Sequence, residues 1–379
     1  MNSPTTRLKY LDSIRGIAAM AVVISHMGYY TDNLSFIPNW FWSTPAVIFI
    51  MGWQSVSVFF VLSGFVLSHR IFNAKGSDFV LSKDLVPFLA NRTARICIPF
   101  VAVLGLSFLG YAVTKDYHFS EFVTVPDQLP WMRSRWGYEL GILDVVRQTF
   151  LPVPVGGNRL IPQDWSLTVE YNVSLLFPFF IVVATQSLGA LWLLVILLLK
   201  KHWYFIHFAF GISISKSFEK IAFVIPSKFP YFGALTLSVG LIIYWNPFGV
   251  VFPEVEGYDL RWIWNGVGAA LMICGVVASP TVQRVLSIRP LLYLGKISYS
   301  IYLVHILVLK VMTPPFLRYI NNQGITGVVS TSAVFTLFTI SIVIALSDIL
   351  YRFVEIPSMQ VGRWLSSKIY SALKSGMKF

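Results

Sequence analysis

The chain has 379 residues, of which 56% are hydrophobic and 12% charged, and its mean hydropathy is +0.68. A soluble domain usually carries about 25% charged residues, so this composition excludes an ordinary soluble protein and predicts an integral membrane protein. The net charge of +12 would by itself favour nucleic-acid binding, so its distribution along the chain has to be considered.

Apolar segments of roughly the length that a membrane-spanning helix needs recur along the chain. We predict an all-α, polytopic transmembrane helical bundle of about ten spans, at residues 12–30, 52–71, 94–114, 165–184, 187–199, 202–215, 229–246, 262–279, 297–314 and 329–350. With the N-terminus in the cytoplasm, cytoplasmic segments hold 18 of the 29 Lys and Arg residues and outer segments hold 9. This excess follows the positive-inside rule and predicts that both termini are cytoplasmic. The basic charge then indicates topology and contact with membrane lipid, and not with nucleic acid.

We expect a single membrane domain over residues 1–379, in a cell (cytoplasmic or inner) membrane. Its longest predicted loop is an outer loop at about 115–164, a length that usually indicates a functional role. A cytoplasmic tail is predicted at about 351–379. The short spans at 187–199 and 202–215 predict a tight hairpin, and the alternative is one re-entrant element, which would leave nine spans and an outer C-terminus.

The first span contains a guanidinium and an imidazole, those of Arg15 and His26. Such residues are costly inside a membrane helix and therefore call for a functional explanation. Eleven residues of α-helix place them about 16 Å apart along the axis but only about 20° apart around it. Asp12 is close enough in sequence to pair with Arg15. This pattern predicts a reaction path along one face of the first helix.

The segment LDSIRGIAAMAVVISH resembles the opening of the membrane-bound acyltransferase-3 family, in which an Arg or Lys precedes a His with ten residues between them. Arg15 and His26 match that spacing. Further elements of the family occur in order: SGF within VFFVLSGFVLSHR (58–70), Arg-x-x-Arg in NRTARICIPF (91–100), WSLxxE in DWSLTVEYN (164–172), LGKISYSIYLVH (294–305) and VEIP (354–357). The resemblance spans nearly the whole chain and implies an O-acyltransferase, here in a stand-alone form.

The resemblance implies transfer of an acyl group, most simply acetyl from acetyl-CoA, to a hydroxyl of a carbohydrate or lipid-linked glycan. His26 suits a general base because imidazole changes protonation near neutral pH. Guanidinium groups suit the phosphates of CoA. We therefore predict catalytic roles for His26, Arg15 and Glu170, and donor binding by Arg92, Arg95 and His69. Arg92 and Arg95 are predicted at the cytoplasmic surface, where topology determinants are the alternative interpretation, and Glu170 about one turn inside the outer end of its span.

Other polar residues are predicted to bind the acceptor or to support the site. Tyr299, Tyr302 and His305 are spaced three residues apart and can form one polar stripe, although structural hydrogen bonds between helices explain it equally well. Ser63 precedes Gly64 in a pair that favours close helix packing over a nucleophile. The supporting set comprises Trp165, Ser166, Tyr299, Tyr302, His305, Asp12 and Ser63. No HExxH or paired-Cys pattern occurs, so we predict no metal.

Two other functions fit the same residues. A transporter or flippase for a lipid-linked glycan could use them as a polar pathway, although the sequence has no internal repeat of the kind common in transporters. An inactive relative that serves as an assembly partner is the third possibility, and the intact pair of Arg15 and His26 argues against it.

Overall fold

The computed structural model describes residues 8–28, 37–75, 81–114, 136, 140–149, 160–198, 203–245, 260–324 and 328–376. Regular structure within these residues is helical throughout, as the sequence predicts. The α-helices are α1 (Lys9–Met27), α2 (Asn39–Trp42), α3 (Gly52–Lys75), α4 (Leu81–Thr114), α5 (Ile142–Thr149), α6 (Asp164–Gln186), α7 (Leu188–Leu198), α8 (Phe205–Lys216), α9 (Ile225–Lys228), α10 (Phe232–Trp245), α11 (Leu260–Ala278), α12 (Pro280–Leu286), α13 (Arg289–Lys296), α14 (Ser298–Asn322), α15 (Val328–Leu350) and α16 (Ile356–Gly376).

Four described helical segments are long and apolar enough to cross a membrane: Asp84–Thr114, Asp164–Gln186, Ser298–Ile320 and Thr331–Leu373. Two bent pairs raise the number to six if each pair forms one span. These pairs join residues 220–228 to α10 at 115° and α11 to α12 at 100°. The chain is therefore a helical membrane protein, while the count of ten spans and the orientation of the termini remain predictions.

Two predicted boundaries differ from the structure. The span predicted at 94–114 lies in a helix that begins at Leu81, so Arg92 and Arg95 lie inside this helix and do not precede it. The predicted tail is also helical, because α15 continues through a π-helical turn at Tyr351–Glu355 into α16. Both differences arise where charged residues interrupt an apolar pattern, since hydropathy ends a span at a charge whether or not the helix ends there.

The described helices divide into two compact units that alternate along the sequence. Unit 1 contains residues 1–21, 40–85 and 173–296, and unit 2 contains residues 22–39, 86–172 and 297–379. The core of unit 1 includes aliphatic and aromatic side chains from α3, α8 and α11, among them Leu62, Phe65 and Ile273.

Close helix packing in unit 1 depends on small residues. A β-carbon on Gly64 of α3 would lie 2.4 Å from the carbonyl oxygen of Phe208 in α8, which is shorter than any ordinary contact. On α1, a β-carbon on Gly16 would lie 2.5 Å from the backbone nitrogen of Gly295 in α13. Small residues allow such approaches because no side chain separates the backbones. Ser63–Gly64 therefore lies at a close helix contact, as the packing interpretation of this pair expects.

The core of unit 2 is organised around α14. Residues 301–310 of this helix are all buried. The ring of Phe316 stacks on that of Phe338 in α15, with centroids 3.7 Å apart and planes 4° apart. A helix that is buried on every side has to satisfy its polar side chains within the protein. The polar residues of α14 therefore define the places where partners from other helices are required.

We expect Gly64→Ala to destabilise the protein, because the added methyl group would collide with the backbone of Phe208. The cost should be about 1–3 kcal/mol, measured as a lower midpoint of thermal unfolding in detergent. Gly105→Ala is the matched control, since a β-carbon at Gly105 of α4 would meet nothing within 4 Å. Equal midpoints for the two variants would contradict the close approach of α3 and α8.

Candidate active site

Two histidines meet inside unit 2. His26, at the C-terminal end of α1, places Nδ1 3.2 Å from Nε2 of His305 in α14. Their ring centroids lie 5.0 Å apart. His305 is fully buried and His26 is half-buried. The sequence predicts both residues as site residues, and the structure brings them together across 279 positions of the chain.

Backbone carbonyls determine which ring nitrogens carry hydrogen. Nδ1 of His305 lies 3.3 Å from the carbonyl oxygen of Ile301, and Nδ1 of His26 lies 2.9 Å from that of Val22. A carbonyl only accepts, so in the neutral rings both Nδ1 atoms carry the hydrogen. His26 Nδ1–H is then shared between Val22 and the bare Nε2 of His305. This arrangement leaves Nε2 of His26 unprotonated, as a general base requires.

Tyr302 continues the site by one turn of α14. Its ring lies 5.8 Å from that of His305, centroid to centroid, and its hydroxyl oxygen lies 2.6 Å from Oγ of Ser166. Gln163 joins the same group, because its Nε2 donates to the carbonyl oxygens of Tyr302 and Leu303 at 3.2 and 3.1 Å. These bonds fix the N-terminal end of α6 against α14.

A buried ion pair joins α4 to α6. The guanidinium of Arg92 contacts the carboxylate of Glu170, and the two side chains are only 11% and 15% exposed. In the neighbouring positions, Thr93 Oγ1 and the hydroxyl of Tyr171 lie 3.0 Å apart. Paired groups must lie at the same depth, so the predicted placement of Arg92 at the cytoplasmic surface and Glu170 near the outer surface is wrong for at least one of them. Arg92 also lies eleven residues inside α4.

Tyr299 and the start of α14 add further bonds. The Tyr299 hydroxyl donates to the carbonyl oxygen of Ile96 in α4 at 2.8 Å, one residue beyond Arg95. Ser300 donates to Glu355 at 2.8 Å, and both are buried. The polar stripe on α14 therefore combines two roles. Tyr299 makes a structural hydrogen bond between helices, whereas Tyr302 lies beside the histidine pair.

Further along α14, beyond the stripe, Lys310 is 2% exposed, and its Nζ lies 5.9 Å from the centroid of the Trp136 ring. Trp136 belongs to the predicted outer loop, is buried, and donates from Nε1 to the carbonyl oxygen of Leu160 at 3.3 Å. Trp165 is half-buried at the start of α6. Most of the predicted loop, at 115–135, 137–139 and 150–159, lies outside the described residues.

The remaining predicted site residues belong to unit 1. Arg15 and Asp12 are half-buried on α1, beside Ser13, whose hydroxyl donates to the carbonyl oxygen of Leu286 at 2.6 Å. His69 stacks on Phe65 with centroids 5.0 Å apart and also contacts the ring of Phe218. Ser63 is buried in α3. Within unit 2, the histidine pair, Tyr302, Ser166 and Gln163 form one connected group.

Sequence reasoning missed two residues of unit 2. Glu355 lies in the closing VEIP element, and its partner Ser300 lies 55 residues away. Gln163 precedes the WSLxxE element by two residues. The position of Gln163 beside that element could have indicated a role, because residues that flank a helix start are often fixed by hydrogen bonds to groups outside that helix.

Comparison with known proteins adds the family. The profile described as an acyltransferase domain, the acyltransferase-3 profile, matches residues 8–352. The chain belongs to this family. One protein similar to this acyltransferase-3 member is provisionally named an O-acetyltransferase and comes from Staphylococcus aureus strain MRSA252. The two are 25% identical over an alignment that covers 95% of this chain and 59% of the relative. O-acetyltransferase OatA of S. aureus strain NCTC 8325 is 23% identical over 93% of this chain and 57% of OatA.

This acyltransferase-3 chain therefore spans less than three-fifths of the length of the curated relatives it matches. No solved structure matches it. Among the described residues, no group of three or more His, Cys, Asp or Glu side chains could hold a metal ion.

Arg92→Gln and Glu170→Gln should each destabilise the protein, because either change leaves a mostly buried charge without its partner. A loss of about 3–5 kcal/mol is expected for each single variant, and the double variant should lose less than the sum. Thermal unfolding in detergent measures all three. Arg352→Gln, which breaks the pair between Asp348 and the 64%-exposed Arg352, is the control and should cost less. Strict additivity would show that Arg92 and Glu170 do not interact.

Proposed function

We propose that this protein is an integral membrane O-acyltransferase that moves an acyl group, most simply acetyl, from cytoplasmic acyl-CoA to a hydroxyl of a sugar. The observation that carries the proposal is the histidine pair. In a chain of the acyltransferase-3 family, His26 presents an unprotonated Nε2 at a partly buried position, with His305 holding its other nitrogen.

In the proposed reaction, Nε2 of His26 removes the proton of the acceptor hydroxyl as its oxygen attacks the carbonyl carbon of the thioester. The carbon–sulfur bond then breaks, the ester forms, and the thiolate of CoA takes up the proton from the imidazolium of His26. His305 is a positioning residue, because it touches His26 and not the reacting atoms. The burial of this pair also suits a reaction that competes with hydrolysis, since water is excluded from such a site.

Arg15, Arg92, Arg95 and His69 are proposed to bind the donor, with the guanidinium groups at its phosphates. The pairing with Glu170 changes the roles first expected for two of them. Glu170 holds Arg92 inside the helical bundle, so we assign Glu170 to the orientation of Arg92 and not to the acceptor. Arg95 lies one turn further along α4, beside the turn whose Ile96 carbonyl accepts from Tyr299.

The acceptor side of the proposal involves Trp165, Ser166, Tyr299 and Tyr302, with Asp12 and Ser63 in supporting positions. The relatives named as O-acetyltransferases support acetyl as the group and an oxygen as its destination. We propose a carbohydrate or lipid-linked glycan of the envelope as acceptor. The proposal includes one acyltransferase domain of ten spans in the cytoplasmic membrane, with both termini in the cytoplasm, as the distribution of Lys and Arg favours.

His26→Ala should lower the rate at which radiolabelled acetyl passes from acetyl-CoA to the glycan fraction of membranes. The expected loss is about 10²–10⁴-fold, because the general base is removed. The control is His207→Asn, which alters a fully buried histidine of unit 1 that bonds Ser57. Protein levels are matched in all membranes. Equal labelling with and without His26 would remove this residue from the mechanism, and no labelling by the parent across several glycans would favour the flippase.

The hydrogen bond between the two histidines leads to a separate prediction for His305. His305→Leu should lower kcat by about tenfold or more, because His26 loses one of the two acceptors that its Nδ1–H shares and with it part of the support for its ring orientation. His305→Gln should retain more activity, since its side-chain oxygen can accept the same hydrogen bond. The KM for acetyl-CoA should change little in either variant. If Gln and Leu were equally damaging, hydrogen bonding to Nδ1 would not be the function of His305.

A further inference from the structure

One polar atom beside the histidine pair has no hydrogen-bond partner. Gln163 is 3% exposed, and its Oε1 is buried without a partner among the described residues. Buried polar atoms are nearly always hydrogen-bonded, so an exception next to a reactive group calls for an explanation. A carbonyl-type oxygen can only accept, so whatever completes this site must supply an N–H or O–H group.

The orientation of the Gln163 amide is fixed by its other end. Nε2 lies 3.2 and 3.1 Å from two carbonyl oxygens of α14, those of Tyr302 and Leu303. Exchanging the nitrogen and oxygen would place Oε1 against two acceptors, which is unfavourable, so the assignment follows from the bonding. The two hydrogens of the amide are both used, and the oxygen is held in place as a preorganised acceptor.

The position of Gln163 in unit 2 points to a ligand. Glu170 lies seven positions after Gln163, which immediately precedes α6, so the two are about 10 Å apart along the axis of this helix. Glu170 holds Arg92, whereas Gln163 is bonded to the turn of α14 that leads directly to His305. A donor with its phosphates near Arg92 and Arg95 and its thioester at His26 would therefore extend past Gln163.

The part of acyl-CoA between its phosphates and its sulfur is the pantetheine arm, which carries two amide N–H groups. The amide nearest the sulfur is separated from it by two methylene groups, or about 4 Å. Tyr302 and Leu303 precede His305 by three and two residues, which is about 3–4.5 Å along α14. The backbone groups that hold the Gln163 amide therefore lie within one helical turn of His305, a rise along α14 comparable to the distance between this amide and the sulfur.

Building on the proposed function, we infer that Oε1 of Gln163 binds the donor by accepting a hydrogen bond from the pantetheine amide N–H nearest the thioester. The residue would recognise pantetheine thioesters as a class and would set the depth to which the thioester enters. It acts on the donor and not on the acceptor hydroxyl.

The test compares acetyl-pantetheine with the analogue in which the amide nearest the sulfur is replaced by an ester, which lacks the N–H. Acetyl transfer to the glycan fraction is measured with purified full-length protein in detergent. The parent should prefer the amide donor by about tenfold in kcat/KM, because the analogue leaves the buried oxygen unpaired. Gln163→Met should lower kcat/KM for the amide donor and show a ratio near one.

Gln283→Met is the matched control. In unit 1, Nε2 of Gln283 donates to the successive carbonyl oxygens of Val276 and Val277 at 3.0 and 2.8 Å, the same bonding pattern away from the histidines. This variant should keep the tenfold preference. If Gln163→Met does not fold, Gln163→Asn, which withdraws the oxygen by one methylene group, takes its place and should also lose the preference.

Each outcome has a distinct meaning. A parent that shows no preference, or a Gln163 variant that retains it, would overturn the donor contact while leaving the acyltransferase intact. A raised KM for the glycan with an unchanged donor ratio would also overturn it, in favour of an acceptor hydroxyl. Failure of the parent to transfer acetyl from acetyl-CoA itself would overturn the proposed function instead.

Discussion

Polar side chains on a fully buried helix are stable only if other parts of the protein supply their hydrogen bonds, and α14 carries several of them within its first half. Tyr299 bonds a carbonyl of α4, Ser300 bonds Glu355, Tyr302 contacts Ser166, and His305 contacts His26. Each contact comes from a different part of unit 2. The hydrogen-bonding requirement of one helix thereby fixes where the C-terminal end of α1, the helices α4 and α6, and the turn before α16 lie in this unit.

The same requirement gives the candidate site its chemical character. A histidine whose Nδ1–H is already shared between a backbone carbonyl and a second imidazole has one tautomer and one orientation. A carboxylate that neutralises an arginine allows both to lie inside membrane helices. Groups suited to proton transfer and to anion binding are therefore kept inside the same unit, although neither would be stable alone in an apolar environment.

Sequence patterns predicted the class of fold because long apolar segments admit few alternatives to membrane helices. They also select His26, Tyr302, His305 and Ser166, which the structure places in one connected group, because the family motifs contain all four. Three features could not be predicted from the sequence. The pairing of Arg92 with Glu170 joins positions 78 apart, and hydropathy placed their charges on opposite sides of the membrane. Gln163 lies just outside α6, where no periodicity applies. The continuation of α15 into α16 crosses charged residues that resemble a boundary.

The continuity of α14 has a consequence for how this protein can vary. Substitutions at its polar positions change single contacts, but adding or deleting one residue between Tyr299 and His305 would rotate everything beyond it by about 100°. Tyr302, His305 and Lys310 could not all keep their present neighbours after such a change. Length in this part of the chain is therefore more tightly constrained than residue identity, and insertions should be tolerated only in the connections outside the helix, such as the turn that follows Asn322.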